Sequence, residues 1–194
     1  MGRQALKCQK KYMLKVSTII TNRSAIQVMS SQENMKTVRR AIDAFNTGDT
    51  KGAHEFISPD YVNRESQKHK DSHRSQLKGP EEFIDTVKNL RGACPDLHIE
   101  VQETISQNSK VALVGNITGT QTGNFFFVPP TGKKISYEAV HIFTIGSDGK
   151  IVEHRPIRDD LKFMMQLGLS KGTSDEYDRF LRAWKEIENN HDYE

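Results

Sequence analysis

Residues 135–160 read ISYEAVHIFTIGSDGKIVEHRPIRDD, and the fold turns on this stretch. Ile135, Tyr137, Ala139, His141, Phe143 and Ile145 alternate with their neighbours at the period-two spacing of a half-buried strand. Ser147-Asp148-Gly149 supplies a hairpin turn, residues 151–157 predict the returning strand, and a helix from Asp159 to Leu167 closes against Gly168. Toward the N-terminus, Leu97, Ile99, Val101 and Ile105 predict a strand, which an Asn108-Ser109 turn joins to another at Val111, Leu113 and Ile117. The result is a four-strand meander.

The residues before it are helical. Ser31 can cap a helix whose Met35, Val38, Ile42 and Phe45 share one face, and Gly48 stops it. A short second helix, capped by Asp49 or Thr50, ends near Ile57. Ser58-Pro59-Asp60 is expected to break the chain there, with Tyr61-Val62-Asn63 extended. Residues 64–78 are polar and read as a solvated loop. Gly79-Pro80-Glu81-Glu82 then opens a third helix, with Phe83, Val87 and Leu90 on its buried face. Helices first and strands after predict an α+β fold, with helices covering one face of a curved antiparallel sheet.

The chain has 194 residues, 28 Lys+Arg against 25 Asp+Glu, and a formal net charge of +3. Residues 1–28 hold six of the basic residues and no acid, which leaves 22 basic against 25 acidic in the remainder. That remainder lacks the basic field nucleic-acid binding draws on. No segment approaches the ~20 apolar residues of a membrane helix. Cys8 and Cys94 are too few for a disulfide framework or a structural zinc site, so a reducing, cytoplasmic setting is expected. Residues 1–28 read as a disordered leader or upstream extension, with Met29 as the expected start and an organellar transit peptide as the alternative. Residues 29–169 form the expected domain. In 170–194, Tyr177, Phe180, Leu181, Trp184 and Ile187 share one helical face, which would dock on its own domain or on a second subunit.

Several local strings carry a family resemblance. Cys94-Pro95-Asp96-Leu97-His98, Gly119-Thr120-Gln121-Thr122-Gly123 with Pro129-Pro130-Thr131-Gly132-Lys133, and Gly149-Lys150-Ile151-Val152-Glu153-His154 with Gln166-Leu167-Gly168 follow one another in order. Together they resemble the SnoaL-like polyketide cyclases, also called ester cyclases, across roughly residues 33–169. The resemblance implies a nuclear transport factor 2-like cone, a hydrophobic carbonyl substrate, an intramolecular aldol closure without a cofactor, and a homodimer. It also implies that Asp159 stands at the position of the acid/base carboxylate. Three positions depart from the family's pattern: Arg64, Gln121 and Arg155 replace a histidine, a histidine and a tryptophan.

Aldol chemistry needs a base near an acidic carbon and donors for the enolate oxygen. Asp159 is the candidate base, although an Asp opening a helix is also an ordinary N-cap. His141 and Tyr137 share a strand face; if that face looks into the cone they are oxygen donors, and otherwise they are wall packing. Gln121 is a candidate polar pocket contact. Arg64 could reach the mouth or lie on the surface. Arg155 could pair with Glu153 or meet an anionic substrate. Phe125 and Phe127 could wall a flat substrate, pack in the core or bury a subunit contact. His69 and His73 have a spacing that suits a metal only on a helix, and no metal site is expected. A ligand-binding cone without chemistry, or a hydrolase in which Asp159 activates water, are the alternatives.

Overall fold

The computed structural model describes residues 31–65, 77–125, 128–169 and Arg182. The expectations for residues 1–28, for His69 and His73, for Phe127 and for the apolar face of the C-terminal segment fall outside these. The elements are α1 (31–47), α2 (Ala53–Phe56), β1 (Ile57–Asn63), α3 (Gly79–Ala93), β2 (His98–Gln107), β3 (Lys110–Thr120), β4 (Lys134–Ile145), β5 (Ile151–Arg158) and α4 (Asp160–Leu167). The five strands form one sheet in the order β1-β5-β4-β3-β2. The fold is the expected α+β class. None of the helices among the described residues is long and apolar enough to cross a membrane.

The meander forms where the alternation predicts it, except that a register shift in β2 between Val101 and Glu103 turns Ile105 to the outer face. Along β4 the residues from Ile135 to Ile145 are buried at every second position, and β3 buries Val111, Leu113 and Ile117 opposite Phe143, His141 and Tyr137. That inner face meets Val38, Ile42 and Phe45 of α1 and Phe83 and Val87 of α3 in one core. Phe83 is its hinge point, edge-on to Phe45, Phe56 and Tyr61 at 5.4, 5.6 and 6.3 Å between centroids. Asn46 at the end of α1 both donates to and accepts from the backbone of Ile99, which ties the helix to β2.

The second helix ends at Phe56, as expected, but the extended stretch begins before Tyr61: Ser58-Pro59-Asp60 already lies within a fifth strand, β1, which runs parallel to β5 at the sheet edge. The register is irregular between Ile57 and Val62, and an edge strand with a bulge is where a residue lacking an N–H can sit in a sheet.

A further irregularity shapes the site. Ile145 pairs with Ile151 but Thr144 pairs with Glu153, so Val152 is an extra residue in β5. This bulge reverses the facing of everything after it. His154, Pro156 and Arg158 come to lie opposite Phe143, His141 and Ala139, while Arg155 and Ile157 turn outward.

The segment between β3 and β4 is pinned to the end of α3. The Thr122 and Gly123 amides both donate to the Ala93 carbonyl, at 3.0 Å each. A Cβ on Gly123 would stand 2.0 Å from the Gly92 carbonyl oxygen, so only glycine fits. Gly123→Ala is expected to lower the unfolding free energy by about 1–3 kcal/mol, read from urea denaturation.

Candidate active site

Between the inner sheet face and helices α1 and α3 lies a cavity of about 50 Å³. Its walls are mainly apolar, with Phe45, Leu90, Ile117 and Ile135 among them, and most of its polar groups come from β1, β4, β5 and the residues just after β1. These are Asn63, Glu65, Tyr137, His141, His154 and Arg158, joined by Thr86 of α3. A few polar groups in an apolar hollow is the usual composition of a small-molecule site.

His141 and His154 form the centre. Nδ1 of His141 lies 2.9 Å from Nε2 of His154, and the rings are nearly coplanar in orientation, 9° apart with centroids at 5.2 Å. The bulge in β5 makes this contact, by bringing His154 inward beside Phe143, on which it stacks at 4.7 Å. Nε2 of His141 is buried and has no hydrogen-bond partner among the described residues. An unpaired buried polar atom costs stability, and on a residue that lines the cavity it is a candidate ligand contact. Burial, and then the Arg158 cation, push His141 down to about 4. Burial, with His141 and Arg158 beside it, holds His154 well below its ordinary value. Both rings are neutral near pH 7.

Tyr137 lies on the same strand face, and burial pushes its hydroxyl up to about 12, so it stays a proton donor. Arg158 is half-buried, which disfavours its charge, yet the Glu65 and Asp160 carboxylates hold it protonated. Its Nε donates to Asp160 at 2.9 Å and its Nη2 contacts Glu65.

The neutral pair makes stability depend on pH. The folded pKa values lie below the unfolded value near 6.5, so the unfolded chain binds protons that the folded chain refuses. The stabilisation is complete above pH 6.5 and is lost as pH falls toward about 4. From pH 7 to pH 5 His141 alone is expected to remove about 2 kcal/mol, and His141→Phe should flatten that part of the profile in urea denaturation.

The other sequence candidates separate. Phe125 lines the cavity and packs on Phe163 of α4 at 4.9 Å. Gln121 is completely buried but does not line the cavity; its amide is committed to the loop that follows it. Arg64 sits on the surface and donates from Nε and Nη2 to Glu153, at 2.9 and 2.6 Å. Glu153 therefore pairs with Arg64, and the Arg155–Glu153 link expected from simple alternation is corrected. Arg155 is exposed on the outer face because of the bulge. Asp159 is exposed, caps α4 by accepting from the Lys162 amide at 3.0 Å, and follows Arg158 in the chain without itself lining the cavity. Sequence reasoning missed the inward placement of His154 and Arg158. The signal for it was the bulge, which the pattern Ile-Val-Glu-His does not announce.

A curved sheet with helices over one face, enclosing a mainly apolar cavity with imidazole and phenol groups in its wall, is a nuclear transport factor 2-like α+β fold. The comparisons narrow this class. Residues 36–167 match the family model of the SnoaL-like polyketide cyclases, and the chain belongs to that family. It is 36% identical over 141 residues to the aklanonic acid methyl ester cyclase DnrD of Streptomyces peucetius, covering 72% of this chain and 92% of that one. It is 32% identical over 128 residues to the nogalonic acid methyl ester cyclase of Streptomyces nogalater, covering 66% and 91%. Among solved structures, TsrD from Streptomyces laurentii superposes with a TM-score of 0.60 at 21% identity, over 72% of this chain and 96% of that one. This likeness concerns the fold.

Proposed function

We propose that the protein is an acid/base cyclase that closes a ring in a hydrophobic polyketide carbonyl compound without a cofactor. The observation that carries the reading is the buried, unpartnered Nε2 of His141, a residue that lines the cavity on the same strand face as Tyr137. In the reaction a base removes a proton from a carbon next to a carbonyl. The enolate carbon then bonds to a second carbonyl carbon, whose oxygen takes up a proton, so the product is an isomer of the substrate. His141 and Tyr137 are suited to the oxygen that gains charge, since neutral donors in a low-dielectric site bind it strongly. The Arg158 cation at the same wall favours that negative charge. The proton-abstracting role is assigned to Asp159 from the family pattern.

Aklanonic acid methyl ester, the compound in the name of the S. peucetius relative, is the first probe. It is expected to raise the melting temperature and to be converted to an isomer with a new ring, followed by chromatography. Stabilisation without conversion of this or nogalonic acid methyl ester would favour a ligand-binding module. That second reading has one observation for it, the exposed and capping position of Asp159. A homodimer paired through the outer sheet face belongs to the same proposal. Ile105 and Ile157 stand 56% and 52% exposed there, beside Ala112, Val140 and Ile142 on neighbouring strands. Light scattering should return twice the chain mass, and Ile157→Glu should return one.

A further inference from the structure

The hydrogen bond between the two imidazoles holds a single proton, because both rings are neutral near pH 7. Where that proton sits fixes both tautomers. If Nε2–H of His154 donates, Nδ1 of His141 accepts and the remaining His141 proton must be on Nε2. If Nδ1–H of His141 donates instead, its Nε2 is left as a bare lone pair. The first arrangement makes both rings Nε2–H tautomers, the form a neutral histidine side chain intrinsically favours. The second forces both into the less favoured form.

The packing makes His154 fit to impose this choice. It is 4% exposed, stacked at 19° on Phe143 and within 9° of the His141 ring plane, so its own plane is fixed by the neighbours. The Val152 bulge is what delivers it there, one strand across from Phe143. A third proton on the pair is disfavoured by the Arg158 cation, which shares the cavity wall with both rings, while Glu65 and Asp160 are engaged on Arg158.

We propose that His154 is a positioning residue that, by donating from Nε2, holds His141 as its Nε2–H tautomer and aims that N–H at the carbonyl oxygen of a substrate in the cavity. The inference rests on the cyclase reading and sharpens it. The oxygen-binding role of His141 then depends on which of its nitrogens carries the proton, and proton abstraction stays with Asp159. As charge gathers on the substrate oxygen, the His141 N–H polarises toward it and the His154 N–H toward His141, with no net proton transfer along the pair.

Two experiments test it. Nitrogen-15 NMR of the imidazoles in the ligand-free chain is expected to show both histidines protonated on Nε2. Finding His141 protonated on Nδ1 overturns the proposal, whatever the activity. Kinetics on aklanonic acid methyl ester then compare His154→Phe, which keeps the stacked ring but donates nothing, with His154→Gln, which keeps an N–H donor. His154→Phe should lower kcat about 10–100-fold with little change in KM, and His154→Gln should restore most of the loss. An unchanged kcat in His154→Phe, or a loss in His154→Gln as deep as in His154→Phe, overturns it. If the unaltered chain turns over neither ester, the cyclase reading fails while the NMR still decides the tautomer.

Discussion

Asp159→Asn is expected to bind aklanonic acid methyl ester as the unaltered chain does and to cyclise it about 10²–10⁴-fold more slowly. The substitution isolates chemistry from structure. Asp159 caps α4 through a hydrogen bond from the Lys162 amide, and the amide oxygen of asparagine accepts that bond equally well. The melting temperature should therefore stay within a degree or two, while the capacity to hold an abstracted proton is gone. Asp159→Ala provides the contrast, losing the cap as well at about 1 kcal/mol. A kcat in Asp159→Asn equal to that of the unaltered chain would remove Asp159 from the mechanism. The base would then have to be sought among the groups that line the cavity, of which Glu65 is the carboxylate.

The sheet was legible because alternation on β3 and β4 is nearly unbroken, and each buried position is apolar or aromatic apart from His141 and two glycines. The helices were legible from their apolar spacing and from Pro80 at the start of α3. What escaped the pattern are the places where strand regularity fails, in β1, in β2 between Val101 and Glu103, where Ile105 changes face, and in β5. Pro59 masked β1, since a residue without an N–H argues against a strand until a bulged edge position is known. The extra residue at Val152 exchanged the faces of β5, so simple alternation put Arg155 with Ile151 and missed His154 and Arg158. Register is a property of two strands, and a single-strand pattern carries no record of it. Tyr137 and His141 could be placed on the inner face because β4 alternates without a break, and Phe125 stood out as part of an aromatic run. Gln121 was found as a special position but for the wrong reason. Its difference from the family's histidine suggested a change of ligand contacts, whereas the residue organises the loop that carries Phe125 to the cavity.

Gln121→Leu is accordingly expected to lower the unfolding free energy by about 3–5 kcal/mol, or roughly 10 °C in melting temperature, without first altering a substrate contact. The side chain is completely buried. Its amide nitrogen donates toward the carbonyls of Gly123, Val128 and Pro129 at 3.1, 3.2 and 3.0 Å. Its oxygen accepts from the Thr131 amide at 3.0 Å and the Thr131 hydroxyl at 2.6 Å. Backbone bonds from Gln121 to Lys133 and from Gly132 to Gln121 close the same knot. Leucine fills the volume but removes partners from half-buried groups of Gly123 and Thr131 and from the Val128 and Pro129 carbonyls, each loss costing about 1–3 kcal/mol where no water replaces the partner. Gln121→Glu tests the donor half separately. It keeps an acceptor for Thr131 but turns a carboxylate on three carbonyl oxygens, so its loss should match or exceed that of leucine at pH 7 and shrink in acid. Histidine carries one donor and one acceptor on opposite sides of its ring. Gln121→His, the residue of the family pattern, should therefore keep both directions of the knot and lose about half as much as leucine. Because Phe125 and Val128 hydrogen-bond to each other within this loop, loosening it should also raise KM by displacing the Phe125 wall. A Gln121→Leu chain as stable as the unaltered one would show that the loop is held by its backbone bonds alone.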